Sequence, residues 1–298
     1  VMPSEAAQLS EHVLEVAAKK MSDRGDGNYY HRVSAISRCL RDMVLHAYAE
    51  PWSNEPQAKW GDTYRFNQGH DVEDRVIKGL QDAGVVVSCQ QLKVQATSPM
   101  GKPISGHIDG IVLVPHHLPL GGKWFLMDVK SAGAFAYKTV LEKDKPKLDN
   151  MRQVSIYTQS IVNDDNYPEV KGIKVCDLEF DDYEFGGGML CYFSLDRPVK
   201  GYGPSREDQP KMHFITFDVD PHEVEMYLDV FDEVDIHKRE GTIPSIPSPS
   251  DEMVWGRQQK DGSYKAIRCN PRWCRRYDVC QGIEKPIQNE VRELLWER

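Results

Sequence analysis

Two apolar runs, ISGHIDGIVLV (Ile104–Val114) and KWFLMDVKSA (Lys123–Ala132), leave this chain few folds to choose from. Both are rich in β-branched and aromatic residues, and a short turn containing Pro115, Pro119, Gly121 and Gly122 separates them, which predicts a pair of adjacent strands. A lone hairpin is marginal in water, so more sheet and covering helices are needed to bury these faces. Each run also carries a carboxylate. Asp109 is flanked by Gly106 and Gly110, and Asp128 stands two residues before Lys130. Residues i and i+2 share a strand face, so Asp128 and Lys130 are expected to point the same way. Paired as a hairpin, the two runs can bring both carboxylates to one edge of the sheet.

The remaining pattern supplies the cover. Ser10 can cap a helix with Val13, Leu14, Ala17, Ala18 and Met21 on its apolar face, and Ser34 or Ser37 can open a second helix that carries Cys39, Leu40, Met43, Val44 and Ala47. A third is expected from about Asp62 to Ala83, with Gly84 just past its end. Val85–Val87 begin a strand, with QQLKVQA as its continuation or partner. Helical spacing returns around Lys138–Leu141 and over Asp149–Val162, followed by the strands MLCYFSL and MHFITFDVD. Asp220 and Pro221 start a helix with Val224, Tyr227, Leu228, Phe231 and Val234 on one face. TIPSIPSPSD reads as a linker to a Cys-rich tail. The expected organisation is an N-terminal helical segment over 1–59, a mixed α/β core over 60–240, and a linker with a Cys-rich basic segment over 241–298. No run of about 18 apolar residues is present, so no membrane partner is expected. The first residues lack a basic start before an apolar stretch, and an intracellular, cytoplasmic location is expected.

Lys and Arg total 37 against 46 Asp and Glu, a net charge of −9. Taken alone that argues against a passive, charge-driven nucleic-acid binder, though not against an enzyme that holds nucleic acid through metal ions and a local basic groove. Asp109 and Asp128 are oxygen donors of the kind hard cations such as Mg²⁺ or Mn²⁺ prefer, and an ammonium beside them can orient the water that attacks a phosphodiester. An acid-x-Lys triplet is common; Glu169-Val170-Lys171 is another. Context distinguishes the first. Upstream, Gly69 precedes Glu73 by four residues and His70 lies one turn before Glu73, so either can complete a metal site. Downstream, Gln153 and Tyr157 stand at i and i+4 on one helix face.

The order Gly69-x-x-x-Glu73, Gly106-x-x-Asp109-Gly110, Asp128-x-Lys130, Gln153-x-x-x-Tyr157 resembles the PD-(D/E)XK nucleases of the RecB-like branch, over roughly residues 60 to 160. The resemblance implies a restriction-endonuclease-like mixed sheet flanked by helices. It implies metal ligation by Asp109 and Asp128, with Glu73 or His70 as third ligand. Lys130 takes the place of the catalytic lysine, and Gln153 and Tyr157 help place the substrate.

The seven cysteines include Cys269-x4-Cys274-x5-Cys280 in the tail and Cys39 far upstream. An odd count in a long chain argues against a disulfide scaffold, and thiolates suit iron–sulfur clusters and Zn²⁺ alike. One cysteine before the core and three after it is similar to RecB-like exonucleases with a [4Fe-4S] cluster, among them CRISPR-associated and AddB-type nucleases. The tail spacing there is Cys-x2-Cys-x5-Cys, so the x4 gap here is a departure. The resemblance implies a cluster held by Cys39, Cys269, Cys274 and Cys280 in a Cys-rich lobe formed from both chain ends, with a structural zinc site as the alternative. Cys89, Cys176 and Cys191 lie in apolar runs and are expected to be packing residues. Lys265, Arg268, Arg272, Arg275 and Arg276, interleaved with Trp273 and Tyr277, make a basic aromatic track suited to unpaired bases, which Tyr29, Tyr30, His31 and Arg32 can extend. The expectation is therefore a metal-dependent exonuclease acting on single-stranded or free-ended DNA in repair, recombination or CRISPR-type processing, with a helicase, recombination or CRISPR-adaptation protein as partner. The alternative is a catalytically silent, nuclease-like DNA-binding subunit.

Overall fold

Lys123–Ala132 forms the central strand β5 of the sheet, and its four consecutive buried residues, Phe125 to Asp128, show that both of its faces are covered. The computed structural model describes residues 32–48, 60–163, 183–195, 212–245 and 280, with backbone alone for 60–67, 134, 135 and 163. Val33–Ser37 is a 3-10 turn, followed by helices α1 (Leu40–Ala47) and α2 (Trp60–Asp82). The strands are β1 (Val86–Ser88), β2 (Lys93–Thr97), β3 (Pro103–His107), β4 (Gly110–Val114), β5, β6 (Glu184–Ser194) and β7 (Met212–Phe217). Helices α3 (Ala134–Lys143) and α4 (Leu148–Asn163) connect β5 to β6, and α5 (Pro221–Glu240) follows β7.

The main sheet has the order β1-β4-β5-β6-β7, with β5 and β6 parallel and every other pair antiparallel. The parallel step requires a long crossover, and α3 and α4 lie within it. Strand alternation divides the core in two. Phe125, Met127, Val112, Val114, Met189 and Cys191 pack with Val72, Val76 and Ile77 of α2 on one face. Leu126, Ile111, Leu113 and Leu190 pack with Val154, Ile156 and Ile161 of α4 and with Val224 and Phe231 of α5 on the other. The protein is thus a mixed α/β fold, a five-stranded sheet flanked by helices. No helix among the described residues is long and apolar enough to cross a membrane.

The helix punctuation behaves as its chemistry requires. Gly84 beyond α2 has φ of 83°, a left-handed conformation that glycine adopts without strain. Asp220 caps α5 by accepting from His222 N at 2.9 Å, Pro221 opens it, and Gly241 ends it at φ 66°. The expected face of Val224, Tyr227, Leu228, Phe231 and Val234 is buried, and Asp232 is buried with it.

Four expectations are corrected. The run Ile104–Val114 is two strands rather than one: β3 pairs with β2, β4 pairs with β5, and Ile108–Asp109 lies between them. QQLKVQA neither continues nor pairs with Val85–Val87; its strand β2 belongs to a separate two-stranded ribbon, after a turn with Cys89 and Gln91 at positive φ. Cys89 accordingly lies in a turn rather than a strand, half-buried against the core, whereas Cys191 is buried in β6. Cys39 precedes its helix: it is the N-cap of α1, its sulfur accepting from Asp42 N at 3.4 Å, and neither Ser34 nor Ser37 serves as that cap. The helix expected after Ser10, the residues Tyr29–His31, Cys176, Cys269, Cys274 and the basic track around Trp273 lie outside the described residues.

Candidate active site

The break between β3 and β4 creates the site. Where β4 ends at the pair Gly110–Met127, the carboxylate of Asp109 takes over the link to β5, its Oδ2 accepting from Val129 N at 2.7 Å. Asp128 is 2% exposed and lies next along β5. The i, i+2 alternation places Lys130 on the same face, with its Nζ 2.7 Å from Asp128 Oδ2. Lys130 Nζ donates to Gln153 Oε1 at 3.2 Å, and Gln153 Nε2 donates to Tyr157 OH at 3.1 Å. One helical turn separates these two on α4, which packs across the sheet at this point. A chain of polar contacts therefore runs from β5 to α4 through four of the expected residues.

Gly106 gives the spacing of its motif a steric cause. A Cβ added there would lie 2.5 Å from Tyr157 Cε1 and 2.6 Å from its hydroxyl oxygen. The Tyr157 ring lies on bare β3 backbone, and only glycine leaves the room. Gly69, by contrast, has open space around it. Arg32 forms an isolated parallel bridge with Ser105, beside Gly106.

Glu73, on α2, is 9% exposed and close enough to act electrostatically on Asp109. Its Oε2 is 3.5 Å from His70 Nδ1, and its Oε1 accepts from Gln91 Nε2 at 2.6 Å. His70 is exposed and meets Glu73 rather than the aspartates. Gln91 carries no sequence signal; it is a polar residue in a turn, and only the fold brings it here.

Burial and the neighbouring charge of Asp128 push the Asp109 pKa up to about 8, with Glu73 adding to the rise and the Val129 amide and Lys130 opposing it. Asp128 is likewise raised, by burial above all, with Lys130 opposing. For Lys130, burial works against the charge, but the carboxylates of Asp128 and Asp109 outweigh it and the pKa rises. Tyr157 is pushed up to about 12 by burial and by Asp128. The result is an ammonium and a phenol favoured in their protonated forms, beside two buried acids whose ionised forms a cation would stabilise.

The carboxylates fit a divalent cation. Asp128 Oδ2 is fully buried and faces the Lys130 ammonium at 2.7 Å. Among the described residues no group of three His, Cys, Asp or Glu side chains closes around one point, so the set offered is the Asp109–Asp128 pair with Glu73 beyond it. Two carboxylates suffice for Mg²⁺, which keeps several of its own waters.

Two of the four expected cluster cysteines are described, and both lie against α1. Cys39 caps it, and buried Cys280 accepts on Sγ from Arg41 Nε at 3.1 Å and on its carbonyl from Arg41 Nη2 at 3.1 Å.

No protein-family model matches the chain, and no curated protein matches it in sequence. Among solved structures, SSO0001 is similar at 13% identity and a TM-score of 0.40, over 76% of this chain and 86% of that one. An alkaline exonuclease (LHK-Exo) from Laribacter hongkongensis is similar at 14% identity and a TM-score of 0.33, over 58% of this chain and 72% of that one. LHK-Exo in complex with dAMP gives 12% identity and a TM-score of 0.37, over 70% and 90%. Likenesses this distant say nothing of the chemistry of this chain, which stands on its own residues.

Proposed function

We propose that the chain is a metal-dependent deoxyribonuclease of the PD-(D/E)XK type, cleaving DNA phosphodiesters with Mg²⁺ or Mn²⁺ and working from a free or single-stranded end. The observation that carries this reading is the meeting of Asp109, Asp128, Lys130, Gln153 and Tyr157 at the break between β3 and β4, with Glu73 in electrostatic reach. Asp109 and Asp128 would hold the cation, with Glu73 as the nearest third carboxylate. Bound there, the cation would polarise the phosphate and acidify a water. The carboxylates beside Lys130 raise its pKa against the burial that lowers it, which favours the ammonium. Its part is to offset negative charge that develops on the phosphate and to orient the attacking water. Gln153 ties Lys130 to Tyr157 and so fixes the direction of the ammonium.

Cys39, Cys269, Cys274 and Cys280 are proposed as ligands of a structural [4Fe-4S] cluster. The meeting of Cys280 with the helix that Cys39 caps supports this. The silent-subunit reading draws on one observation, that no three-ligand group forms among the described residues.

The test is end-labelled linear, end-blocked and circular DNA with Mn²⁺, comparing the wild-type chain with Lys130→Ala. Wild type is expected to degrade the free-ended substrate, with Lys130→Ala slower by on the order of 10²- to 10³-fold. If both proteins are equally inert, or equally active, the catalytic reading fails.

A further inference from the structure

We infer that Gln91 is a positioning residue for the metal site: it holds Glu73 toward the aspartates without neutralising its charge. The inference deepens the nuclease reading and rests on it. The turn from β1 to β2 places two non-glycine residues, Cys89 and Gln91, at φ 54° and 55°. Such conformations are unfavourable for residues with a Cβ and persist only where the surroundings enforce them. Two backbone bonds enforce this one, Leu92 N to Cys89 O at 3.2 Å and Ile108 N to Leu92 O at 3.0 Å. The second bond ties the turn to Ile108, the residue before Asp109. The same short link therefore sets both the strand break that presents Asp109 and the turn that presents Gln91.

From that turn the Gln91 amide donates to Glu73 Oε1 at 2.6 Å, a short bond to a carboxylate that is 9% exposed. The other oxygen of Glu73 faces His70 Nδ1 at 3.5 Å. Glu73 is thus held from two sides while its charge still reaches Asp109. The choice of an amide matters. A lysine or arginine at position 91 would hold Glu73 equally well, but would cancel the negative charge that draws a cation. A neutral donor orients the carboxylate and leaves its charge in place, as outer-shell partners of metal-binding carboxylates do.

The test uses the full chain with Gln91→Gly and Gln91→Lys. Glycine keeps the left-handed turn and removes the amide; lysine replaces the amide with a charge. Mn²⁺ affinity is read by the electron paramagnetic resonance of free Mn²⁺, melting is read in metal-free buffer, and cleavage is read against Mn²⁺ concentration. Gln91→Gly is expected to melt near wild type, to bind Mn²⁺ roughly tenfold more weakly, and to raise the half-saturating Mn²⁺ for cleavage more than it lowers the maximal rate. Gln91→Lys is expected to melt at or above wild type and to bind Mn²⁺ most weakly of the three. A purely structural role for Gln91 predicts the opposite order. In a Glu73→Gln background, Gln91→Gly should have no further effect on affinity. If wild type binds Mn²⁺ and Gln91→Gly binds it equally well, the assignment of Gln91 is overturned and the nuclease reading stands. If wild type binds no Mn²⁺, both are overturned.

Discussion

Asp109 couples the site to pH through its own proton. Its pKa is raised from 3.8 to about 8 by burial and by Asp128. The folded protein therefore holds a proton there that the unfolded chain releases near the ordinary carboxylate value. An acid shifted in this direction contributes stability that is fully present below the unfolded pKa and is lost as pH rises through the folded one. With a chelator present, the melting temperature should fall as the buffer is taken from about pH 6 to about pH 9. Asp128, shifted the same way, adds to the fall. A divalent cation displaces the proton and meets the charge directly, so saturating Mg²⁺ should flatten the slope. A metal-free melting temperature that rises over this range would mean that the carboxylates are not held together in the folded state.

Among the elements, the ribbon β2–β3 shows what the sequence did and did not reveal. Helices were legible because a 3.6-residue apolar period over α4 and α5 admits no other reading, and β5 because a long apolar run between turns does not fit a surface. The break at Ile108–Asp109 was not. Ile104 and Ile108 are apolar and so is everything from Ile111 to Val114, so local pattern reads through the aspartate. The strand ends there for tertiary reasons: β3 is drawn to β2, and the Asp109 side chain takes the amide of Val129. Strand and helix periodicity put Lys130, Gln153 and Tyr157 each on a definable face, and the resemblance in motif order joined them into a set. Gln91 was not legible, since a turn residue has no face until the fold gives it one. What holds the ribbon against α5 is equally tertiary. Asp232, 4% exposed, accepts from Ser98 Oγ at 2.5 Å and from Met100 N at 2.9 Å. Asp232→Ala removes the acceptor of the buried Ser98 hydroxyl and of the part-buried Met100 amide and should cost on the order of 1–3 kcal/mol, read by urea unfolding. Lys102 also meets Asp235 at 2.5 Å on α5, but the lysine is 43% exposed, so Lys102→Ala should cost about 1 kcal/mol or less. Equal costs for the two would show that the buried carboxylate is not what anchors the ribbon.

For the whole molecule, Arg41 joins the beginning of the described chain to its end. It is 4% exposed and donates to Cys280 Sγ, to the carbonyl of Cys280 and to the carbonyl of Pro244. Residues 41 and 280 are 239 positions apart, yet closure entropy grows only with the logarithm of loop length, so a few strong contacts can hold such a loop. The planar guanidinium suits this task because it presents several donors in one rigid fork, which lysine does not. Tyr48, at the C-terminal end of α1, reinforces the join by donating to the carbonyls of His237 and Thr242, each at 2.8 Å. Arg41→Met keeps much of the bulk and removes every donor, leaving buried acceptors without partners. It should lower the melting temperature and expose the C-terminal segment to limited proteolysis, and Arg41→Lys should fall between it and wild type. If Cys39 and Cys280 also share a [4Fe-4S] cluster, Arg41 supplies a hydrogen bond to one of its sulfur ligands, and Arg41→Met should additionally lose brown colour on anaerobic purification. Colour retained together with increased proteolysis would place the clip and the cluster in separate roles. Wild-type melting and wild-type resistance to proteolysis in Arg41→Met would show that α1 and Cys280 meet without it.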